Sequence, residues 1–142
     1  MRKRIKAFSA MGMARVVDAN FNRAKEGLRV CEDMSRFILD DKVLTSGYKT
    51  ARHQLTVAAG VFGLKDIVRA RDVKGDVGRP TTISESVRGN MADIFYANTQ
   101  RVKESLRVLE EFAKLADAGR AEDFKALRYK VYGLEKKAFE RL

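Results

Sequence analysis

Much of the usual catalytic vocabulary is missing from this chain. It has a single cysteine, Cys31, so no internal disulfide can form, and a single histidine, His53. No Cys/His cluster with zinc-ligand spacing occurs. There is no G-x-x-x-x-G-K-[ST] phosphate loop, no G-x-G-x-x-G and no Ser-His-Asp ordering. One proline and no tryptophan occur in 142 residues. No apolar run approaches the ~20 residues that span a bilayer. The basic start, MRKRIKAFSAMGMA, lacks an apolar stretch of export-signal length, because Arg15 interrupts it. Cytoplasm is the expected compartment, with Cys31 a reduced, buried thiol.

What is present is helical in character. Ala, Leu, Arg, Lys and Glu abound, with 45% apolar and 34% charged residues, as in a soluble globular protein. The length suits one domain able to bury a core without staples. A formal charge of +10 calls for an anionic partner: nucleic acid, an anionic membrane or a phosphorylated small molecule.

The clearest signal is a stretch that occurs twice. Residues 18–37, DANFNRAKEGLRVCEDMSRF, and 96–115, YANTQRVKESLRVLEEFAKL, match at nine of twenty positions without a gap. Six of the nine are polar, although packing alone would select apolar ones. An internal duplication whose polar groups are used in both copies is the simplest reading. At helical spacing one seam carries Asn20, Ala24, Gly27, Cys31, Met34 and Ile38, the other Asn98, Val102, Ser105, Leu109, Phe112 and Ala116. An Asn in mid-seam with an Arg three residues on needs partners, since an unpaired buried amide costs roughly 1–3 kcal/mol.

In order, residues 1–12 read as a basic arm, loosely held unless helix begins within it. Residues 13–142 read as one helical domain, with repeat 1 over about 13–62 and repeat 2 over about 83–141. A first helix is expected from Met13 to Leu39 and a second from Val43 to Phe62, stopped by Gly63. Residues 64–82 read as one long irregular connector holding Pro80, Gly75 and Gly78. Thr82-x-x-Glu85 reads as a capping box opening a third helix that runs through the second repeat to Asp117. Gly119 should end it, and a fourth helix should reach Arg141 with Phe124, Leu127, Val131, Leu134 and Ala138 inward. Tyr48-Lys49-x-x-Arg52-His53 resembles Phe124-Lys125-x-x-Arg128-Tyr129 at a spacing of 76. The expected fold is all-α: a four-helix bundle of two duplicated hairpins about a pseudo-two-fold axis.

Several polar groups have both a bland and a chemical reading. Asn20 and Asn98 bond across the bundle or to a ligand; Arg23 and Arg101 pair with Glu26 and Glu104 or hold an anion. Arg29/Glu32 and Arg107/Glu110 are most plainly surface ion pairs, yet both copies keep them. Arg52 and Arg128 either snorkel past an aromatic ring or reach inward as phosphate clamps. His53 becomes Tyr129 in the other copy, which argues against a shared proton-transfer role. In the connector, Gly75 and Gly78 would let backbone N–H groups approach an anion. Arg71, Lys74 and Arg79 can neutralise charge, and Asp72 and Asp76 can hold Mg²⁺.

The motifs D-A-N-x-x-R-A-x-E-G-L-R-V-x-E-D at 18–33, A-R-D-x-x-G-D-x-G at 70–78, N-x-x-R-x-x-E-x-L-R-V-L-E-E at 98–111 and R-Y-x-V-Y-x-L-E at 128–135 occur in this order. Together they resemble the small alternative hydroxymethylpyrimidine-phosphate kinases of bacterial thiamine synthesis, a domain often fused ahead of thiamine-phosphate synthase. The resemblance implies transfer of the ATP γ-phosphoryl to 4-amino-5-hydroxymethyl-2-methylpyrimidine phosphate, giving the diphosphate, with ATP and Mg²⁺ as cofactors. On physical grounds Arg23, Arg101, Arg52, Arg128 and Arg71 would then be phosphate clamps. Asp72 and Asp76, with Glu26 or Glu104, would be Mg²⁺ ligands, and Asn20 or Asn98 would bond the aminopyrimidine edge. One copy is expected to favour nucleotide and the other pyrimidine. Rival readings are a basic helical nucleic-acid-binding module, disfavoured by the lack of interleaved aromatics, and a non-catalytic interaction domain of thiamine-phosphate synthase. No membrane partner is expected, and homo-oligomerisation is left open.

Overall fold

The computed structural model describes the backbone of residues 2–142 and the side chains of residues 10–82 and 85–142. The chain is all-α among the described residues, as expected. Its elements are α1 (Arg2–Phe37), α2 (Lys42–Ala59), a 3-10 turn (Gly60–Phe62), α3 (Leu64–Arg69), α4 (Ile83–Ser86), α5 (Met91–Ala116) and α6 (Ala118–Phe139). α1 packs against α2 and α5, and α6 packs against α5 and α2, so the four long helices close a ring; α3 rests on α1.

The apolar stripes explain the ring. Ala24, Leu28 and Cys31 of α1, Leu44, Tyr48, Ala51 and Leu55 of α2, Phe95, Val102, Leu106 and Leu109 of α5, and Phe124, Leu127 and Val131 of α6 are all buried. Within each helix they recur at steps of three, four or seven residues, which places them on one side. Tyr48 and Phe95 meet edge-on at 5.9 Å. α1 and α5 come close because Gly27 is a glycine: a Cβ there would lie 2.6 Å from Val102 Cγ2 and 3.0 Å from the Asn98 carbonyl oxygen.

Four boundaries differ from the sequence expectation, each for a local reason. The helix expected from Met13 begins at Arg2, so residues 2–12 continue α1 rather than forming a separate arm. It ends where Asp40 takes φ 51 and the Asp41 N–H returns to the Ser35 carbonyl at 3.0 Å. The connector is not irregular throughout: α3 occupies its start, turned in by Gly63 at φ 74 and held by buried Ile67. Thr82–Glu85 opens only the single turn of α4, and Thr82 makes no side-chain cap bond there. The true start of the next long helix is Asn90, whose side chain accepts from the Asp93 N–H at 2.9 Å, while the Asp93 carboxylate accepts from the Gly89 N–H at 3.1 Å. That reciprocal pair caps both strands of the turn. At the far end Gly119 does not stop a helix. Asp117 closes α5 and caps α6, accepting from the N–H groups of Gly119 and Arg120. No helix among the described residues is long and apolar enough to cross a membrane.

Candidate active site

The middle of α1 and the loop after α3 enclose a cleft of about 650 Å³. Arg15, Asn20 and Arg23 come from α1, Arg71, Asp72, Asp76 and Arg79 from the loop, and Val108 of α5 closes one wall. Gly12, Val16, Ala19 and Val73 give it apolar surface.

One contact sets the loop against the helix. Arg71 presents its guanidinium edge to Asp18, donating from Nε at 2.7 Å and Nη2 at 2.8 Å. Two parallel charge-assisted bonds define orientation as well as distance. The Asp18 side chain is nearly buried and also accepts from the Asn22 amide at 3.2 Å. These bonds hold the Arg71 guanidinium above its ordinary pKa. Beyond Arg71 the loop folds on its own carboxylates: Asp72 Oδ1 accepts from the Gly75 N–H at 2.8 Å, and Asp76 Oδ1 from the Gly78 N–H at 2.9 Å. A Cβ at Gly75 would sit 2.2 Å from Asp72 Oδ2, so the first turn requires glycine. The expectation that these two N–H groups face an anion is therefore corrected, because the loop's own aspartates take them.

Once Arg71 and Asp18 are paired, the cleft lining keeps three arginines and two aspartates, an excess of positive charge. Arg15, Arg23 and Arg79 make no ion pair among the described residues, although all three line the cleft. Asn20 is buried and donates from Nδ2 to the Val16 carbonyl at 2.8 Å, one turn back on its own helix. Its amide oxygen accepts no hydrogen bond from the described residues, and Asn20 lines the cleft. Asp72 and Asp76 each keep one carboxylate oxygen outside the turn bonds. No group of three or more His, Cys, Asp or Glu side chains gathers into a metal cage among the described residues. Two carboxylates fit Mg²⁺, which keeps several waters and shares its remaining positions with substrate phosphates.

The polar residues kept in both copies have a different place. Glu32 and Glu110 are buried rather than members of surface pairs, and each takes two arginines. Glu32 accepts from Arg29 at 3.1 Å and from Arg52 of α2 at 3.3 Å. Glu110 accepts from Arg107 at 3.3 Å and from Arg128 of α6 at 3.0 Å. The same trio thus ties α1 to α2 and α5 to α6. Arg52 and Arg128 are consequently engaged by protein carboxylates and do not reach the cleft as clamps. Beside each trio lies a shallow groove, one holding Lys25 and Glu26, the other Lys103 and Glu104. Burial, then the neighbouring Arg52 and Arg29, lower the Lys25 pKa.

Three more expected site residues lie outside the cleft. Asn98 bonds back to the Ile94 carbonyl at 2.8 Å, as Asn20 does to Val16, but its surroundings are the α1 interface. Arg101 and Lys74 are exposed and are not among the lining residues. Among the described residues, neither the cross-bundle bonds weighed for the two Asn nor the Arg23–Glu26 and Arg101–Glu104 pairs occur. Conversely, Arg15, Asp18 and Asn22 belong to the site. Asp18 stood in the first motif, but its pairing with Arg71 shows only in the fold. Its counterpart in the second copy is Tyr96, so the cleft forms on one half alone.

The family model for the ThiD2 family matches residues 15–137. The proteins named thiamine-phosphate synthase from Rhodopirellula baltica and Synechocystis are 43% and 42% identical to this chain, over 83% and 89% of its length. A protein of that name from Nostoc punctiforme is 39% identical over 85% of the chain. The matches take in 32%, 36% and 34% of those proteins, so the chain spans about a third of the length of the curated relatives it matches. No solved structure matches. With a match from Arg15, the first cleft arginine of α1, to the last turn of α6, the chain belongs to the ThiD2 family.

Proposed function

We propose that this chain is a hydroxymethylpyrimidine-phosphate kinase of thiamine biosynthesis, moving the γ-phosphoryl of ATP onto 4-amino-5-hydroxymethyl-2-methylpyrimidine phosphate. The observation that carries the reading is the cleft: Arg15 and Arg23 of α1, neither in an ion pair, face a loop bearing Asp72, Asp76 and a third such guanidinium, Arg79. Family membership supports it, and the relatives bear the name of a thiamine enzyme.

The chemistry asks for little beyond placement and charge. A phosphate oxygen of the acceptor attacks Pγ; the bond from Pγ to the β,γ-bridging oxygen breaks, and ADP leaves with that electron pair. Because the attacking oxygen is already ionised at neutral pH, no general base is needed, which suits a site without histidine. Arg23 and Arg79 would neutralise the charge spread over the transferring group, and Arg15 the acceptor phosphate. Asn20 would offer its amide oxygen to the exocyclic amine of the pyrimidine. Asp72 and Asp76 would hold Mg²⁺ through their outer oxygens or through water, and a bound ion supplies charge neutralisation on the β- and γ-phosphates. Arg71, locked to Asp18, positions the loop.

The test is to incubate the full chain with ATP, Mg²⁺ and the pyrimidine phosphate and follow ADP and the pyrimidine diphosphate. Equal formation of both is expected; a folded protein that releases no ADP overturns the reading. The relatives' name and the one-third coverage favour a second reading, a non-catalytic domain that accompanies a thiamine-phosphate synthase. It predicts no ATP consumption but a change in synthase turnover when the two are mixed.

A further inference from the structure

The two shallow grooves share a cationic frame and differ in one respect. In the first half, Lys25, Arg29 and Arg52 stand beside Thr56, and Lys25 donates to the Thr56 hydroxyl. In the second half, Lys103, Arg107 and Arg128 stand beside Tyr132, in a groove of about 530 Å³. Next to it is Tyr129, whose counterpart is His53. So an aromatic pair stands at the second groove, where the equivalent positions in the first half are a hydroxyl, Thr56, and an imidazole, His53, that faces a different pocket.

That pair is exposed and yet fixed. Tyr129 and Tyr132 are 58% and 38% exposed, and their rings meet edge-on at 5.4 Å. Arg128, held from below by Glu110, lies 5.3 Å and 5.7 Å from the two ring centres and donates to the Tyr132 hydroxyl at 2.8 Å. Lys103 lies 5.6 Å from the Tyr132 ring and pairs with Glu135. The two rings are already held in one arrangement by each other and by Arg128. A flat π-system can therefore stack there with little ordering cost, and the ring–base contact tolerates any base. The groove also adjoins the cleft: Glu104 and Arg107 line the groove while Val108 lines the cleft. One turn of α5 separates Glu104 from Val108, about 5–6 Å between Cβ atoms. A nucleotide could lay its base on the tyrosines and run its phosphates past Arg107 into the cleft.

We infer that the Tyr129–Tyr132 face with Lys103 and Arg107 is the base and ribose-phosphate subsite for the nucleoside triphosphate, leaving the Asn20 end of the cleft to the pyrimidine. This rests on the kinase reading and deepens it, dividing the two substrates between the halves of the molecule.

The test compares ATP with inorganic tripolyphosphate, which has the charge and no base, by calorimetric titration of the full chain. In Tyr129→Leu and Tyr132→Leu, ATP binding weakens about tenfold or more, from the loss of base stacking. Tripolyphosphate binds as before, and so does the pyrimidine phosphate. His53→Ala, at the position equivalent to Tyr129, leaves ATP affinity unchanged. Both tyrosines are exposed, so thermal melts should confirm folded variants. ATP binding unaltered in the tyrosine variants, or weakened equally with tripolyphosphate, overturns the assignment while leaving the kinase reading intact. A wild-type protein that neither binds nor turns over ATP removes both.

Discussion

Among single residues, the cleft separates two arginines that the repeat makes formally equivalent. Arg23 faces it without an ion pair; Arg101, its counterpart, does not line it. Arg23→Ala should lower kcat/KM about 100-fold, a loss of roughly 2.7 kcal/mol of transition-state stabilisation. Arg101→Ala should change it by no more than a few-fold. Steady-state kinetics of the two variants, side by side, check this; equal losses would mean that the guest spans both copies. Cys31 behaves differently again. Burial pushes its thiol up to about 11, against a smaller downward pull from the Thr99 hydroxyl. A raised folded value means that the fold favours the protonated thiol. Its contribution is complete below the unfolded value near 9, and is lost as pH rises through 9 to 11. Urea melts should show stability falling across that window, and Cys31→Ala should remove part of the fall. Burial also raises the Tyr48 phenol, which extends the decline to higher pH. At pH 8 Cys31 should resist alkylation until the protein is unfolded.

At the level of elements, a glycine lets α1 and α5 approach closely. An alanine at 27 would be a better helix former by about 1 kcal/mol. Its methyl, however, would press on Val102 and on the Asn98 backbone carbonyl, and overpacking of that kind costs about 1–3 kcal/mol. Gly27→Ala should therefore be destabilising by about 1 kcal/mol net, a drop of a few degrees in Tm. Adding Val102→Ala relieves the nearer contact, so the double variant should lose less than the sum of the two. Thermal melts of the three proteins decide it; additive losses would place the strain elsewhere. The same pairing explains why a glycine in one copy can face a valine in the other.

For the whole molecule, a charge of +10 and three arginines without ion pairs in one cleft, against two aspartates, should make anions ligands of the folded state. Tripolyphosphate should raise Tm, by an amount equivalent to about 2.7 kcal/mol at a hundred times its Kd. Arg23→Ala should remove most of that shift, whereas general screening of surface charge would act on both proteins alike. Differential scanning calorimetry at constant ionic strength separates the two effects.

Helical class, the apolar stripes and the four long segments follow from local pattern, because periodicity and side-chain volume act over a few residues. The short α3 and the break after α4 did not show, since four to six residues are too few to carry a period, and burial of Ile67 decides the first. Repetition marked Arg52, Arg128, Glu32 and Glu110 as kept for a purpose. Whether that purpose is a ligand or a clasp between helices depends on which neighbour each carboxylate meets. Asp18 and Arg71 lie 53 positions apart, and only chain folding makes them one fork. Twin sequences specify twin helices; the loop lying against one of them breaks their equivalence, and a cleft exists only where backbone from distant positions is brought face to face.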